Sequence, residues 1–232
     1  MRVTVKLAAL AACICTSLPV AAQVDEDQAG AWYMYFFDAS GGGRPWGFQG
    51  DIQYRNWDLG GDLEQLLLRG GVTYRPKTAD VLFTLGYANI TSGAFGPSSS
   101  TTGEDRIYQE VALPQKVGSR VHLRHRFRFE QRWVDNQDFR TRFRYALFMN
   151  IPLNQPDFRK GAVYLSLYNE IFINGQRDIG AGREVEIFDR NRLYAAIGYS
   201  ITDKLRLQGG YMHQYSDTIE KGQIQLSLHQ AF

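Results

Sequence analysis

Apolar and polar residues alternate along most of this chain with a period of two. Trp46, Phe48, Gly50, Ile52 and Tyr54 stand against Gly47, Gln49, Asp51, Gln53 and Arg55. Val121, Leu123, His125, Phe127, Phe129 and Trp133 stand against His122, Arg124, Arg126, Arg128, Glu130 and Arg132. Phe139, Thr141, Phe143, Tyr145, Leu147, Met149 and Ile151 stand against Arg140, Arg142, Arg144, Ala146, Phe148 and Asn150. Successive side chains of an extended strand point to opposite faces, so each run predicts a strand with one greasy and one polar side. Weaker alternation covers 31–37, 64–75, 81–90, 106–113, 162–173, 190–200, 205–215 and 222–232. No apolar spacing of helical period persists, and no apolar run beyond residue 22 reaches the length of a spanning helix.

The connections also differ in kind. Short turns (Pro76–Asp80, Pro114–Gly118, Ile201–Lys204) trade places with longer polar stretches (Ile90–Asp105, Asn174–Asp189). Short turns on one rim and longer loops on the other are the asymmetry of an outer-membrane barrel. The expected fold is therefore all-β: a single antiparallel transmembrane β-barrel of about 10–12 strands, with short periplasmic turns and longer outer loops. Lipid outside is favoured over a soluble core by three features. Arginines recur on the polar face, tryptophans lie near strand ends (Trp46, Trp57, Trp133), and the last strand ends on Phe232 with Ile224, Leu226 and Leu228 on its face. Eleven segments are read, whereas bacterial single-chain barrels have even strand numbers. The expectation is that one segment is false, with 31–37 lying in the lumen or at a rim, or that a twelfth is missed.

The N-terminus reads as an export signal. Arg2 and Lys6 precede the small-apolar stretch Leu7–Ala22, and Val20-Ala21-Ala22 offers a cleavage site, giving a signal peptide over 1–22 and a barrel domain over 23–232. Leu10-Ala11-Ala12-Cys13 resembles a lipoprotein box but leaves too short an apolar run before the cysteine. Both cysteines, Cys13 and Cys15, fall in the signal, so a mature chain has no thiol chemistry, disulfide or cysteine-ligated zinc. The full chain has 26 basic and 24 acidic residues, and loss of Arg2 and Lys6 leaves the mature protein formally neutral. Net charge thus gives no reason to expect nucleic acid as a partner. A length of 232 residues suits one domain, and 44% hydrophobic with 22% charged residues excludes a disordered chain. The mean hydropathy of -0.33 excludes a bundle of spanning helices but not a barrel.

The arginine-bearing strands carry a resemblance. Arg126-Phe127-Arg128-Phe129-Glu130-Gln131-Arg132, Arg140-Thr141-Arg142-Phe143-Arg144-Tyr145, Asn169-Glu170-Ile171-Phe172 and Asn191-Arg192-Leu193-Tyr194 with Gly198-Tyr199 follow one another in order. With Trp32 early and Gly210-Tyr211 late, the chain resembles the domain-of-unknown-function 2490 family of exported bacterial barrels. The resemblance implies an outer-membrane barrel and no assigned activity.

The polar face offers a lumen charge network of Arg126, Arg128, Glu130, Arg132, Arg140, Arg142, Arg144, Glu170 and Arg192. Centring the 133–139 connection on Asn136 sets Glu130 opposite Arg142, Arg128 opposite Arg144 and Arg132 opposite Arg140. Centring the next connection near Asp157 sets Glu170 opposite Arg144, with Arg192 close on the other side; Glu110 similarly falls opposite His122. Like charges directly opposite destabilise a sheet, so Glu130 and Glu170 are needed as anions shared between guanidinium forks. Such a lattice fills and stiffens a narrow lumen, and its excess of arginine favours small anions. The expected function is a non-enzymatic, structural or narrow porin-like barrel. Its expected partners are outer-membrane lipids and, through the strand ending at Phe232, the outer-membrane insertion machinery. Two alternatives stay open, a lipid-modifying enzyme in the barrel wall and a soluble periplasmic barrel holding an apolar ligand. For the enzyme, Ser227 and His229, two residues apart on one face, are the single candidate pair, without a third group. His213 and Ser216 fall on opposite faces, and no cofactor, metal or phosphate-loop spacing is present. The stretches 93–103 and 183–189 read as solvated loops.

Overall fold

The computed structural model describes residues 29–217 and 219–232, so the expected signal peptide and its cysteines lie outside the described residues. Among the described residues eleven strands follow one another: β1 (Gly30–Asp38), β2 (Trp46–Asn56), β3 (Leu63–Tyr74), β4 (Leu82–Gly93), β5 (Thr101–Val117), β6 (Val121–Val134), β7 (Arg140–Pro152), β8 (Val163–Asn174), β9 (Phe188–Ser200), β10 (Leu205–Tyr215) and β11 (Glu220–Ala231). Each pairs with its sequence neighbours, and β1 closes on β11 to complete a barrel.

The strand count corrects the expectation of an even number. All eleven segments are wall strands. Every hairpin reverses the chain, so in an odd ring the first and last strands run the same way. The closing pair is parallel, from Gly30 beside Gln223 to Asp38 beside Ala231. The segment at 31–37 is thus part of the wall, although Trp32 points inward and is almost fully buried.

The rims differ less than the sequence suggests. On one rim the chain turns at 39–45, 75–81, 118–120, 153–162 and 201–204; on the other the connections at 57–62, 94–100 and 135–139 are comparable, and 175–187 stands out. β4 runs to Gly93 and β5 starts at Thr101, which absorbs much of the stretch read as a long loop. The 175–187 segment leans on the neighbouring turn, where Asp138 donates its backbone N–H to Ile179 at 2.9 Å and Arg183 donates to the Asn136 carbonyl. The stretch Pro114–Gly118 is not a turn: β5 continues to Val117 and Pro114 pairs with Arg124. Proline is tolerated there because β4 ends its pairing at Ala112, leaving that side of β5 an edge with no N–H to supply.

The two faces separate along much of the wall. Along β9, Leu193, Ile197 and Tyr199 are exposed on the outside, while Arg192, Tyr194, Ala196 and Ser200 are buried inside. Phe127 and Phe143 lie on the outer face, 48% and 54% exposed, whereas Glu130 inside is 1% exposed. The lumen is packed as well as charged. Trp32, Tyr194, Ala196 and Met212 form one cluster, and Leu67, Ala88, Ile90 and Tyr108 another.

Two glycines make room for rings that cross the lumen wall. A Cβ on Gly86 would lie 2.1 Å from Tyr108, and one on Gly198 would lie 2.2 Å from Tyr164. The Tyr164 ring is fully enclosed and its hydroxyl accepts from Gln208 at 3.0 Å, so it cannot swing aside freely. Gly198→Ala is therefore expected to lower barrel stability by about 1–3 kcal/mol, the usual cost of overpacking. A urea unfolding midpoint equal to that of the parent protein would contradict this packing.

Candidate functional site

The site is the polar inner wall, centred on β6, β7 and β8. Period two sends Arg126, Arg128, Glu130 and Arg132 of β6 and Arg140, Arg142 and Arg144 of β7 into one lumen. The β6–β7 register is the one read from the turn: Arg128 opposite Arg144, Glu130 opposite Arg142, Arg132 opposite Arg140. Asn136 in that turn takes a positive φ of 57°, as a tight reversal requires.

Two of these facing pairs, Arg128 with Arg144 and Arg132 with Arg140, would repel without further anions, and the structure supplies them as a relay. Glu130 accepts from Arg142 at 2.7 Å and from Arg144 at 2.7 Å. The second terminal nitrogen of Arg144 reaches Glu170 at 2.6 Å, and Arg126 reaches the same Glu170 oxygen at 2.5 Å. Arg128 binds Glu110 at 2.5 Å, and Arg126 lies 3.7 Å from that carboxylate. At the other end Arg142 donates to Asp189 at 2.8 Å, while Glu104 takes paired hydrogen bonds from both Arg106 and Arg132. Nearly all of these side chains are buried. Each carboxylate serves two guanidinium forks, which is the geometry that lets a buried acid offset more than one cation.

Two register expectations are corrected. Glu170 stands opposite Ala146, not Arg144, and Glu110 stands opposite Arg128, not His122. Both errors come from the turn centre. The β5–β6 reversal lies at 118–120 instead of around Pro114–Gly118, and the 153–162 connection lies one residue beyond the assumed centre. Each residue of error in a turn centre shifts the partner by two positions and preserves the face, so Glu170 still binds Arg144 on the diagonal while Glu110 binds Arg128. Arg192 does stand opposite Glu170, yet it donates to Gln214 at 2.8 Å and stacks between Trp32 and Phe172, each 4.8 Å away. Arg140 is inward beside Arg132, and its Nε has no hydrogen-bond partner.

Several participants escaped the sequence reading. Glu104 and Asp189 sat in stretches taken for loops, although Glu104 and Arg106 share a face at a spacing of two. Trp32 donates its indole N–H to Glu64 at 2.8 Å beneath the guanidinium of Arg55, 3.8 Å from its ring. Phe148 and Phe172, aromatics on the polar face of their strands, are platforms for arginines. Their inward parity was the available signal.

The stitched layer divides the lumen into a cavity of about 410 Å³ and a second of about 190 Å³, whose shared walls include Arg55, Arg69, Arg144 and Arg192. Ser227 and His229 face the larger cavity, not the outer surface, and are hydrogen bonded at 2.9 Å. The imidazole stacks on Phe36 with ring centres 4.7 Å apart, and among the described residues no carboxylate orients it.

The chain belongs to the family described as "Protein of unknown function (DUF2490)", whose model matches residues 29–225. A protein described as uncharacterized from Methylorubrum extorquens is 31% identical over 161 residues, covering 69% of this chain and 67% of the relative. No solved structure matches the chain. The family match spans β1 to the first half of β11 and so includes the whole relay.

Replacing a shared carboxylate leaves two buried cations without their anion. Glu170→Gln is expected to cost roughly 3–5 kcal/mol of stability, the range for breaking a buried ion pair. In double-mutant cycles the coupling of Glu170 to Arg126 should exceed its coupling to Arg192. Equal couplings, measured by urea denaturation, would reject the relay in favour of simple cross-strand pairing.

Proposed function

We propose that the protein is a bacterial outer-membrane β-barrel whose apolar outer face contacts lipid and whose guanidinium-rich, largely filled lumen favours anions over cations. The observation that carries this reading is the exposure pattern: Leu85, Phe143 and Leu193 at 54–60% exposure outside, against buried arginines inside. A soluble barrel turns its apolar face inward, and contiguous exposed apolar surface on this scale marks contact with another apolar phase.

Further features support it. Most strands have eleven to fourteen residues, above the nine to eleven needed to cross a bilayer when tilted. Aromatic pairs sit at both rims, Trp133 with Phe139 at 5.3 Å and Trp46 with Tyr74 at 4.8 Å, as an interfacial girdle would. Ile224 and Leu226 face outward on β11, which leads to Phe232. This is the strand we assign to the outer-membrane insertion machinery, with the Phe232 rim periplasmic. The parallel closure then sets Gly30 at the outer rim.

Conduction through this lumen must pass the stitched layer, so the reading is a narrow barrel and not a wide diffusion pore. Carboxylates are fewer than guanidinium groups on the inner wall, and the imbalance favours negative ions. The refolded protein should float with liposomes and shift its gel mobility on heating. In planar bilayers under a potassium chloride gradient, any conductance should be small, with a reversal potential of the sign set by chloride. A protein that remains soluble in detergent-free buffer contradicts the membrane assignment; a cation-selective or wide, unselective conductance contradicts the lumen assignment.

A further inference from the structure

Of the guanidinium groups that line the larger lumen cavity, two make neither a hydrogen bond nor an ion pair among the described residues. Among the described residues, Arg124 on β6 and Arg206 on β10 have no carboxylate within ion-pair distance and rest instead over aromatic rings. Arg124 lies over Phe148 at 4.4 Å and Arg206 over Phe158 at 5.4 Å. Glu110, the relay acid paired with Arg128 on the same cavity wall, is already held at 2.5 Å. We propose that Arg124 and Arg206 form an anion-binding site in the larger lumen cavity, for a small soluble molecule with a phosphate or carboxylate head and an aromatic body. This deepens the anion preference proposed above and shares its premise of an inward guanidinium excess, but does not depend on the membrane assignment.

Four observations converge on that ligand. Both arginines line the cavity of about 410 Å³, a volume in the range of small-molecule sites and too small for a two-chain lipid. They stand four strands apart around the ring, so they approach a bound head from different sides of the lumen. Arg124, ringed by strands, is nonetheless exposed, because the surface it presents belongs to the cavity. One further donor on the same wall, the Nε of Arg126, is buried with no hydrogen-bond partner among the described residues and lies 3.7 Å from Glu110. Buried donors without acceptors are costly unless something else satisfies them.

The chemistry of the walls selects the ligand class. Guanidinium forks match the planar oxygens of carboxylate and phosphate, two hydrogen bonds at a time. Phe36, Phe148 and Tyr164 add aromatic surface beside the arginines, so a ring attached to the head gains contact that a bare inorganic ion does not. The cavity reaches the rim at Asp38, Gln230 and Ala231, beside the Phe232 end of the barrel, which supplies the entrance. Two cations facing one cavity without an ion-pair partner of their own oppose the stability of the empty barrel, and groups kept at such a cost commonly serve binding.

The test uses the folded barrel in detergent micelles, titrated calorimetrically with phenyl phosphate, benzoate, inorganic phosphate and phenol. Phenyl phosphate and benzoate should bind saturably and raise the urea unfolding midpoint, as a ligand selective for the native state must. Inorganic phosphate and phenol should each bind at least tenfold more weakly than phenyl phosphate. The double variant Arg124→Gln, Arg206→Gln should bind phenyl phosphate at least tenfold more weakly and lose the ligand-induced shift. Its ligand-free midpoint should equal or exceed that of the parent, because the substitutions remove unpaired like charges; this also certifies the fold. The Lys counterparts should recover part of the affinity. The site is overturned by any of three results: no saturable binding to the parent protein, unchanged affinity in the double variant, or inorganic phosphate binding as tightly as phenyl phosphate. Cation selectivity in bilayers alongside intact phenyl phosphate binding would sink the conductance reading and leave the site standing.

Discussion

A carboxylate shared between two guanidinium groups is the repeating interaction of this barrel. Burying a lone pair of opposite charges roughly breaks even, because removing both from water costs several kcal/mol per ion. Sharing changes the balance: Glu130 serves Arg142 and Arg144, Glu170 serves Arg144 and Arg126, and each added contact uses an ion already desolvated. The same sharing fixes register. Sliding β7 against β6 by two residues would set Glu130 beside Arg140 or Arg144 and break the link through Glu170. An outer face on which apolar side chains predominate adds little to hold the sheet in one register.

The lattice also decides what the lumen is. Its arginines cross from wall to wall with Trp32, Phe172 and Tyr108 as stacking surfaces, so the centre is filled by paired charge and aromatic rings. Space remains on either side of this layer, and the larger volume is where unpartnered cations collect. Rigidity and binding capacity are thus assigned to different levels of one wall. Closure imposes a second constraint: with eleven strands one seam must be parallel, which places the start of β1 and the end of β11 on opposite rims.

Strand positions were legible in the sequence because alternation is local, and every segment marked by it forms a wall strand. The β6–β7 register was legible too, since its short turn has one natural centre at Asn136. The β5–β6 register was not, because Pro114 looks like a turn residue, although β4 begins at Leu82 opposite Ala112 and leaves that side of β5 unpaired beyond it. The ten-residue-scale connection 153–162 gave no sharp centre, and Glu170 was displaced by two positions. Glu104 and Asp189 lay in polar stretches where loop and strand extension have the same composition. Strand parity is a property of ring closure, which no local pattern encodes. The pairing of Arg124 and Arg206 with rings instead of acids depends on the positions of all neighbouring strands.

The central claim is that apolar residues face lipid while guanidinium groups face the lumen. Both cysteines of the chain, Cys13 and Cys15, precede residue 23, so single cysteines introduced into a barrel expressed from residue 23 can be spin-labelled without ambiguity. Labels at Leu85, Phe143 and Leu193, compared with a label at inward Ser166, can be read by power saturation in reconstituted bilayers with oxygen and a water-soluble nickel chelate. The account predicts that the first three are relaxed by oxygen and shielded from the chelate, with the opposite preference at Ser166. Chelate access at the outward positions would contradict it.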